Sequence, residues 1–398
     1  MPPIATHHPT VPASRRPPAP GGGGVPGAES RLVRALGRAA PALVGYLMVR
    51  LFGLLVLARW AHVQGRGVWP TLATTWDSDW YLGIADHGYQ RELGTALDSN
   101  NLAFFPLYPA LVKAAAAVTP GTRASVALVI AVVASLVAAW GIFSVGDRLH
   151  GQRVGTVLAV LWGAYPVAVV QWMGYTESLF TAFTAWCLYA ALKGRWLWAG
   201  SLATLAGLTR PTGIAVAAAV AVAGLVAYVR TRERRALAGA LLAPLGWCGY
   251  VAWVGHRVGR WDGYFAVQKL WRNQWDGGRS TLVEMREHLA YDASPMFFLV
   301  LVSVVLVVSA GLYLLCLTDR QPLALLVFTG VLMVIVLGSG GVYFPRARFL
   351  LPAFPLLLPI AVAVARARRP VALVVLGGAA LSSAWLGANA LLVWPGPP

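Results

Sequence analysis

The chain has 398 residues, of which 58% are hydrophobic and 12% charged, and its mean hydropathy is +0.64. Soluble domains carry about a quarter charged residues, so this composition excludes a soluble globular protein. The net charge of +17 comes from arginine clusters between apolar runs, which is typical of cytoplasmic loops beside an anionic leaflet and does not indicate binding to nucleic acid.

The first 40 residues are rich in proline and glycine and lack the apolar core of a signal peptide. We expect residues 1–40 to form a disordered, basic cytoplasmic tail. Residues 41–398 are expected to form one all-α, polytopic domain embedded in the lipid bilayer of the cell membrane. About eleven transmembrane helices are predicted, at 41–61, 124–145, 154–173, 178–192, 196–210, 213–229, 236–255, 296–317, 322–340, 349–365 and 371–392.

One apolar run, 102–118, is not assigned as a span. Pro106 and Pro109 break its first half and Lys113 interrupts the second, which favours a re-entrant or interfacial segment. If this run does not cross the bilayer, the short basic loops all become cytoplasmic, with the N-terminus inside and the C-terminus outside.

This topology places two long loops, 62–123 and 256–295, on the extracytoplasmic side. The second loop conflicts with the rule that basic residues stay inside. Either the topology is wrong there, or these cations serve an anionic ligand. They are Arg257, Arg260, Lys269, Arg272, Arg279 and Arg286.

Five polar segments fall on the extracytoplasmic face in this topology, and their convergence predicts one site formed by both long loops and three turns. The alternative is chance, since about half of the polar loops would share a face anyway. The segments are WDSDWY (76–81), YTES (175–178), the Arg210-Pro211 turn, loop 256–295 and YFPRAR (343–348).

Asp77 and Asp79 form a DxD pattern between interfacial aromatic residues. DxD is associated with metal-held sugar donors, so Mg²⁺ or Mn²⁺ is one interpretation. A partly desolvated carboxylate can instead act as a general base towards a hydroxyl. The third interpretation is a solvated loop between two spans.

Glu177 is a lone acid between apolar runs. Ionisable residues inside a membrane are usually functional or paired, but Thr176 and Glu177 can also simply cap the next helix. Arg210 lies beside Pro211, where a broken helix would line a cavity. Its guanidinium suits a phosphate, or it can extend to the surface.

Arg346 and Arg348 leave the same two interpretations open. Arg50, near the middle of the first span, either extends to the surface or pairs with an acid such as Glu177. A different class of protein, a multi-span transporter or lipid flippase, would use Arg50, Glu177 and Arg210 as a substrate pathway. It predicts an inverted repeat, and we find no convincing repeat in the sequence.

WDSDWYLGIADHGY (76–89) followed by NLAFFPLYP (101–109) resembles the signature of the PIG-V family, the enzymes that add the second mannose of GPI anchors, and their bacterial relatives. The family pattern is Trp-Asp, an acid two residues later, an aromatic residue, Ile-Ala-acid-His-Gly-Tyr, and Ala-Phe-Phe-Pro. The resemblance covers most of residues 41–365. Further similar blocks are GYTESLF (174–180), LTRPTG (208–213), YFAVQKLW (264–271) and RFLLPAFP (348–355).

The resemblance implies a GT-C glycosyltransferase with an extracytoplasmic active site. Its donor would be a polyprenyl-phosphate sugar, with mannose expected and arabinose or glucose as alternatives. Its acceptor would be a glycan or glycolipid hydroxyl, whose identity does not follow from the fold. A lipid monophosphate can be held by arginine alone, so no metal cofactor is expected.

In this scheme Asp77 is the general base and Asp79 orients the acceptor, while Arg210, Arg348 and Lys269 stabilise the phosphate that leaves. The other residues expected to bind substrate are Trp76, Tyr81, His87, Phe105, Glu177, Gln268 and Arg346.

Overall fold

The computed structural model describes the backbone of residues 28–398 and the side chains of residues 32–398. Within this part the chain forms the helices α1 (Ala28–Val63), α2 (Val68–Ala73), α3 (Asp77–His87), α4 (Leu107–Ala116), α5 (Arg123–His150), α6 (Gln152–Gly163), α7 (Glu177–Leu192), α8 (Trp196–Gly207), α9 (Gly213–Thr231), α10 (Arg234–Leu242), α11 (Leu245–Arg257), α12 (Gly263–Leu270), α13 (Arg279–Arg286), α14 (Phe297–Thr318), α15 (Leu323–Gly338), α16 (Arg346–Phe349), α17 (Leu358–Arg366) and α18 (Arg369–Leu392).

A few short elements complete the chain. The strands β1 (Gln274–Trp275) and β2 (Ser339–Gly340) pair antiparallel, with Gln274 opposite Gly340 and Trp275 opposite Ser339. A π-helical turn covers Glu287–Tyr291. Tight 3₁₀ turns cover Asn101–Ala103, Ala168–Trp172 and Phe354–Leu357.

The first long helix begins within the segment predicted to form the N-terminal tail. Residues 1–27 lie outside the described part, where disorder stays a prediction, but α1 begins at Ala28 and takes in the last third of the tail. The reason is composition, because ESRLVRALGRAA is rich in alanine, leucine and arginine, which are strong helix formers.

Within residues 28–398, six helical segments are long and apolar enough to cross a membrane. Each coincides with a predicted span, and together they confirm an all-α, polytopic membrane protein. They are Leu32–Val63, Arg123–His150, Gly213–Thr231, Arg234–Arg257, Phe297–Thr318 and Arg369–Leu392.

The remaining five predicted spans form shorter or broken helices. For example, α6 and α8 have 12 residues each, which is a rise of about 18 Å, against a hydrocarbon core of about 30 Å. These five segments are shorter than the six above, and whether each of them crosses the bilayer stays a prediction. Most of the residues of α6 and α7 are buried in the protein, and hydropathy does not distinguish a buried core helix from a membrane span.

The interior is built by α5 to α9: α6 and α7 both pack on α5, α7 packs on α8, and α8 packs on α9. The short helices carry the polar segments. α3 and α4 pack on α5, α12 packs on the turn Asn101–Ala103, and α13 packs on β2. At ten residues, α4 rises about 15 Å, too little to cross the bilayer, in keeping with the expectation for residues 102–118.

Candidate functional site

Residues from the predicted polar segments line one cavity of about 440 Å³. Its walls are mostly apolar, which is usual for small-molecule sites with a few placed polar groups. From the YTES segment, Thr176 and Glu177 lie just behind the cavity wall. The charged residues that line the cavity are Asp77, Asp98, Arg210, Arg272, Arg346 and Arg348.

Asp77 is the first residue of α3 and faces the cavity. The preceding residue, Trp76, has φ 51° and ψ −113°, a sparsely populated conformation for a residue with a side chain. This turn starts the helix at Asp77, where the helix dipole favours a carboxylate. The side chain is 23% exposed, and its Oδ2 lies 2.8 Å from Nη2 of Arg348.

Glu177 lies behind the arginines rather than in the cavity wall. It is 1% exposed, and its Oε1 lies 2.6 Å from Nη1 of Arg210 and 3.2 Å from Nε of Arg348. Buried charges are tolerated when they are paired. Glu177 is the shared counter-ion of the two arginines, and its contact with substrate stays a prediction.

Arg210 reaches this position through the tight turn between α8 and α9. A Cβ on Gly213 would lie 2.6 Å from Cα of Gly207, so only glycine lets the two chain segments approach this closely. Nη1 of Arg210 also donates a hydrogen bond to Oγ1 of Thr176, at 3.0 Å. The guanidinium is thus held from two sides and lines the cavity in a defined orientation.

Arg348 bridges the two acids of the site. It is 4% exposed, and its guanidinium lies 5.0 Å from the ring centroid of Tyr175. Desolvation lowers the pKa of Arg348, but the attraction of Asp77 and Glu177 outweighs it, so the net effect is a raised pKa. Arg348 is therefore a fixed positive charge at the cavity wall.

Tyr81 extends the same network into the cavity. Its hydroxyl lies 3.1 Å from Oγ1 of Thr176, which also accepts from Arg210. Burial raises the pKa of Tyr81, so the hydroxyl stays protonated and available as a donor. Phe105 and Gln268 also line the cavity, as expected.

Arg346 lines the cavity, but its hydrogen bonds are made to other groups of the protein. It donates to Oγ1 of Thr281 and, at 2.6 Å, to the carbonyl of Ser339. Burial lowers its pKa, against the opposing influence of Tyr343 and nearby acids. Arg346 thereby fixes α13 to β2 and adds positive charge to the wall.

Besides Glu177, four of the residues predicted for the site do not line the cavity. Asp79 is exposed because α3 is helical, and two residues along a helix turn the side chain by about 200°. His87 is exposed at the far end of α3, and Lys269 is exposed on α12, while Trp76 packs partly buried against the core. Partial desolvation raises the pKa of Asp79.

In the described part of the chain, no three His, Cys, Asp or Glu residues are grouped to hold a metal ion.

Several residues of the sequence signature shape the wall instead of facing the cavity. The hydroxyls of Tyr89 and Tyr250 donate to the carbonyl of Phe104 at 2.9 and 2.8 Å. Asp86 forms an ion pair with Arg123 at the start of α5. These contacts fix the Ala-Phe-Phe-Pro segment, whose two phenylalanines line the cavity.

The cations of loop 256–295 also find protein partners. Arg257 donates to the carbonyls of Gln90 and Tyr89 at 2.7 and 2.9 Å, and Arg260 pairs with Asp262 at 2.9 Å. These contacts explain part of the basic charge that conflicted with the predicted topology, because Arg257 attaches this loop to the first one and Arg260 is neutralised within its own loop.

Sequence reasoning missed several residues of the cavity wall. Trp271 ends the YFAVQKLW block, so a signal for it was present. Asp98 and Pro397 carry no such signal, since they lie in irregular segments without a motif or a period. The missed polar and aromatic residues include Asp98, Phe104, Trp271 and Asn273, whereas Arg272 was named only among the cations of loop 256–295.

Gly341 fixes the backbone beside Arg272 and gives a testable prediction. Its φ is +98°, and an added Cβ would overlap the carbonyl oxygen of Arg272. We expect Gly341→Ala to destabilise the folded protein by about 1–3 kcal/mol and to lower the midpoint of thermal unfolding in detergent. Gly377→Ala in α18 is the control, because a Cβ there meets nothing within 4 Å. Equal midpoints for the two variants would contradict this account.

The fold and the site together define a multi-pass helical membrane protein with a charged cavity at the junction of its loops. No protein-family model matches the sequence. GPI alpha-1,6-mannosyltransferase 2 of Rattus norvegicus is 30% identical over 149 residues, which make up 35% of this chain. The match spans only 29% of the length of the rat protein.

Among solved structures, the oligosaccharyltransferase of Archaeoglobus fulgidus tethered with an acceptor peptide aligns with a TM-score of 0.49 at 14% identity, over 89% of this chain and 56% of that chain. ArnT from Cupriavidus metallidurans bound to undecaprenyl phosphate aligns with a TM-score of 0.48 at 15% identity, over 92% of this chain and 65% of that chain.

Proposed function

We propose that the protein is an inverting membrane glycosyltransferase of the GT-C type, similar to the PIG-V family. It transfers mannose from a polyprenyl-phosphate donor to a glycan or glycolipid hydroxyl on the extracytoplasmic face. The observation that carries the proposal is a carboxylate, Asp77, facing a largely apolar cavity beside two buried arginines, Arg210 and Arg348. The identity with a mannosyltransferase supports mannose as the sugar.

The charges at this end of the cavity suit a phosphate that gains charge during the reaction. Three arginines and one carboxylate line it, namely Arg210, Arg346, Arg348 and Asp77. The donor is a phosphodiester with one negative charge, and the leaving polyprenyl phosphate is a monoester with a second ionisable oxygen. Guanidinium groups already fixed in place stabilise that developing charge without reorganisation.

The proposed step exchanges one bond to the anomeric carbon for another. The acceptor oxygen attacks the anomeric carbon opposite the phosphate, the bond from that carbon to the phosphate oxygen breaks, and the electron pair stays on the phosphate. Asp77 takes the proton of the acceptor hydroxyl. A phosphate oxygen that binds Arg348 competes with Asp77 for Nη2, which releases the carboxylate to act as base.

The apolar wall provides a place for the lipid part of the donor. Ile335 and Val336 of α15, Val342 and Phe344 of the following loop, and Phe349 of α16 line the cavity next to the arginines. A hydrocarbon chain that leaves water for such a wall contributes about 25 cal/mol per Å² of buried surface.

The placement of Asp79 favours arginine over a metal ion as the binder of phosphate. Because Asp77 and Asp79 point to different sides of α3, the DxD pair does not converge on a common ligand. Asp79, predicted as a catalytic helper, is therefore not part of the proposed mechanism.

The contacts of Arg50 support an enzyme over a transporter. Nη1 of Arg50 donates to the carbonyl of Gly163 at 3.3 Å, and its guanidinium lies 5.8 Å from the ring of Trp172. Glu177 pairs instead with Arg210 and Arg348. The three residues predicted for a transport pathway thus divide into two separate clusters.

Purified protein in lipid nanodiscs tests the proposal. We expect polyprenyl-phosphate-mannose, supplied with octyl α-mannoside as acceptor, to yield polyprenyl phosphate and a disaccharide in buffer containing EDTA. GDP-mannose should yield no product, because it lacks the hydrocarbon chain that would bind the apolar wall beside the cations. Use of GDP-mannose in preference to the lipid donor, or loss of activity with EDTA, would contradict the proposed donor binding. A protein inactive with lipid donors of mannose, glucose and arabinose would contradict the function itself.

A further inference from the structure

The cavity has a second polar cluster that the proposed chemistry does not use. Asp98, Gln268, Arg272 and Asn273 line it around the indole of Trp271. Gln268 lies in the last turn of α12, and the others lie in the loops that follow α3 and α12, away from the helix starts and turns that carry Asp77 and Arg210. We call these five residues the Trp271 cluster.

A continuous aromatic wall connects the Trp271 cluster to the arginine end. The ring of Phe104 lies 5.3 Å from that of Tyr81 and 5.4 Å from that of Trp271, between centroids. Trp80 packs against both Phe104 and Trp271, at 5.5 and 5.2 Å. A molecule that fills the cavity can therefore contact Tyr81 beside the arginines and Trp271 beside the second cluster.

The side chains of the cluster are held in fixed orientations. Nε2 of Gln268 donates to the hydroxyl of Tyr264 at 2.8 Å, and Nδ2 of Asn273 donates to Oε1 of Gln268 at 3.2 Å. Nε1 of Trp271 donates to the carbonyl of Asn100 at 2.8 Å. These bonds fix the plane of the indole and leave unused amide hydrogens and a carbonyl oxygen for a ligand.

The backbone of the cluster is strained at two facing residues. Asp98 has φ 51° and Arg272 has φ 58°, values that are costly for residues with a side chain. Their side chains approach to 3.5 Å, but both are largely exposed, and exposed ion pairs contribute little stability. Strain that is not offset locally is typical of binding and catalytic sites.

We propose that the Trp271 cluster is the subsite for the sugar residues of a neutral glycan acceptor. The proposal rests on the glycosyltransferase function and adds the chemical class of the acceptor. A sugar has an apolar ring face, which suits the indole, and a rim of hydroxyls, which suits a carboxylate, a guanidinium and two amides. The charges of Asp98 and Arg272 cancel, so this end favours a neutral ligand while the arginine end favours phosphate.

Binding of small sugars to the protein in nanodiscs tests the subsite without any transfer reaction. Methyl α-mannoside and α-mannobiose are the probes, and saturation-transfer NMR measures their affinity. We expect Asp98→Ala and Trp271→Ala to weaken binding of mannobiose at least tenfold. Trp261→Ala is the matched control, because Trp261 is 93% exposed in the same loop and does not line the cavity.

A second probe, decyl phosphate, reports on the arginine end and on folding. Variants of the Trp271 cluster that keep wild-type affinity for decyl phosphate are folded at the site, and their loss of mannobiose binding then supports the subsite. Wild-type affinity for mannobiose in both variants overturns the subsite and leaves the proposed transfer intact. Absence of transfer by a wild-type protein that binds mannobiose at this cluster overturns the proposed function instead.

Discussion

Replacing Asp77 by asparagine is expected to lower the rate of mannose transfer by about 10²- to 10⁴-fold, the range of general base catalysis. Asparagine has nearly the same shape but takes no proton from the acceptor hydroxyl. Its amide oxygen still accepts a hydrogen bond from Arg348, so the turnover number should fall while the affinity for decyl phosphate persists. Transfer kinetics and equilibrium binding on the same nanodisc preparation measure the two effects.

Asp79→Asn is the matched control for this prediction. Both substitutions remove one carboxylate from the same helix, but Asp79 is exposed and does not line the cavity. We expect Asp79→Asn to change the rate less than threefold, as is usual for exposed positions away from a site. Equal losses of transfer rate in the two variants would mean that the negative charge of the segment matters, and that residue 77 does not act as a general base. Wild-type transfer by a folded Asp77→Asn protein would exclude Asp77 as the base.

The sequence predicts the convergence of the site because charged residues are rare in an apolar chain. Asp77, Arg210 and Arg348 stand out for that reason, and the structure brings them to one cavity. It does not predict which side of α3 faces the cavity. That depends on where the helix begins, and the strained backbone of Trp76 fixes its start at Asp77.

Depth within the protein is also hidden from the sequence. From the sequence, Glu177 in YTES is predicted to bind a ligand. Only the packing of α7 shows that it lies behind Arg210 and Arg348. Hydropathy likewise does not show that α6 is buried among protein helices, because a helix surrounded by protein and one surrounded by lipid have the same composition. The position of Asp98 is not predicted from the sequence, because it depends on loop geometry and loops show no hydrophobic periodicity.

The second large effect is expected at Glu177, the shared counter-ion of Arg210 and Arg348. Removing one partner of a buried charge pair costs about 3–5 kcal/mol, because the other charge is left uncompensated. Glu177→Gln leaves two buried guanidinium groups facing the same amide oxygen. We therefore expect a lower midpoint of thermal unfolding and a loss of at least tenfold in transfer rate.

A merely structural role for Glu177 would also lower the stability of the variant. Binding of decyl phosphate therefore has to distinguish a structural role from a role in aligning the arginines for transfer. Without the negative charge of Glu177, the net positive charge near the cavity rises by one, while the arginines lose the atom that aligns them. We expect Glu177→Gln to bind decyl phosphate at least as tightly as the wild type and yet transfer slowly. Glu177→Asp keeps the charge on a shorter side chain and should recover part of the rate. A Glu177→Gln protein with unchanged turnover and unchanged affinity for decyl phosphate would show that the two arginines need no counter-ion to hold the donor.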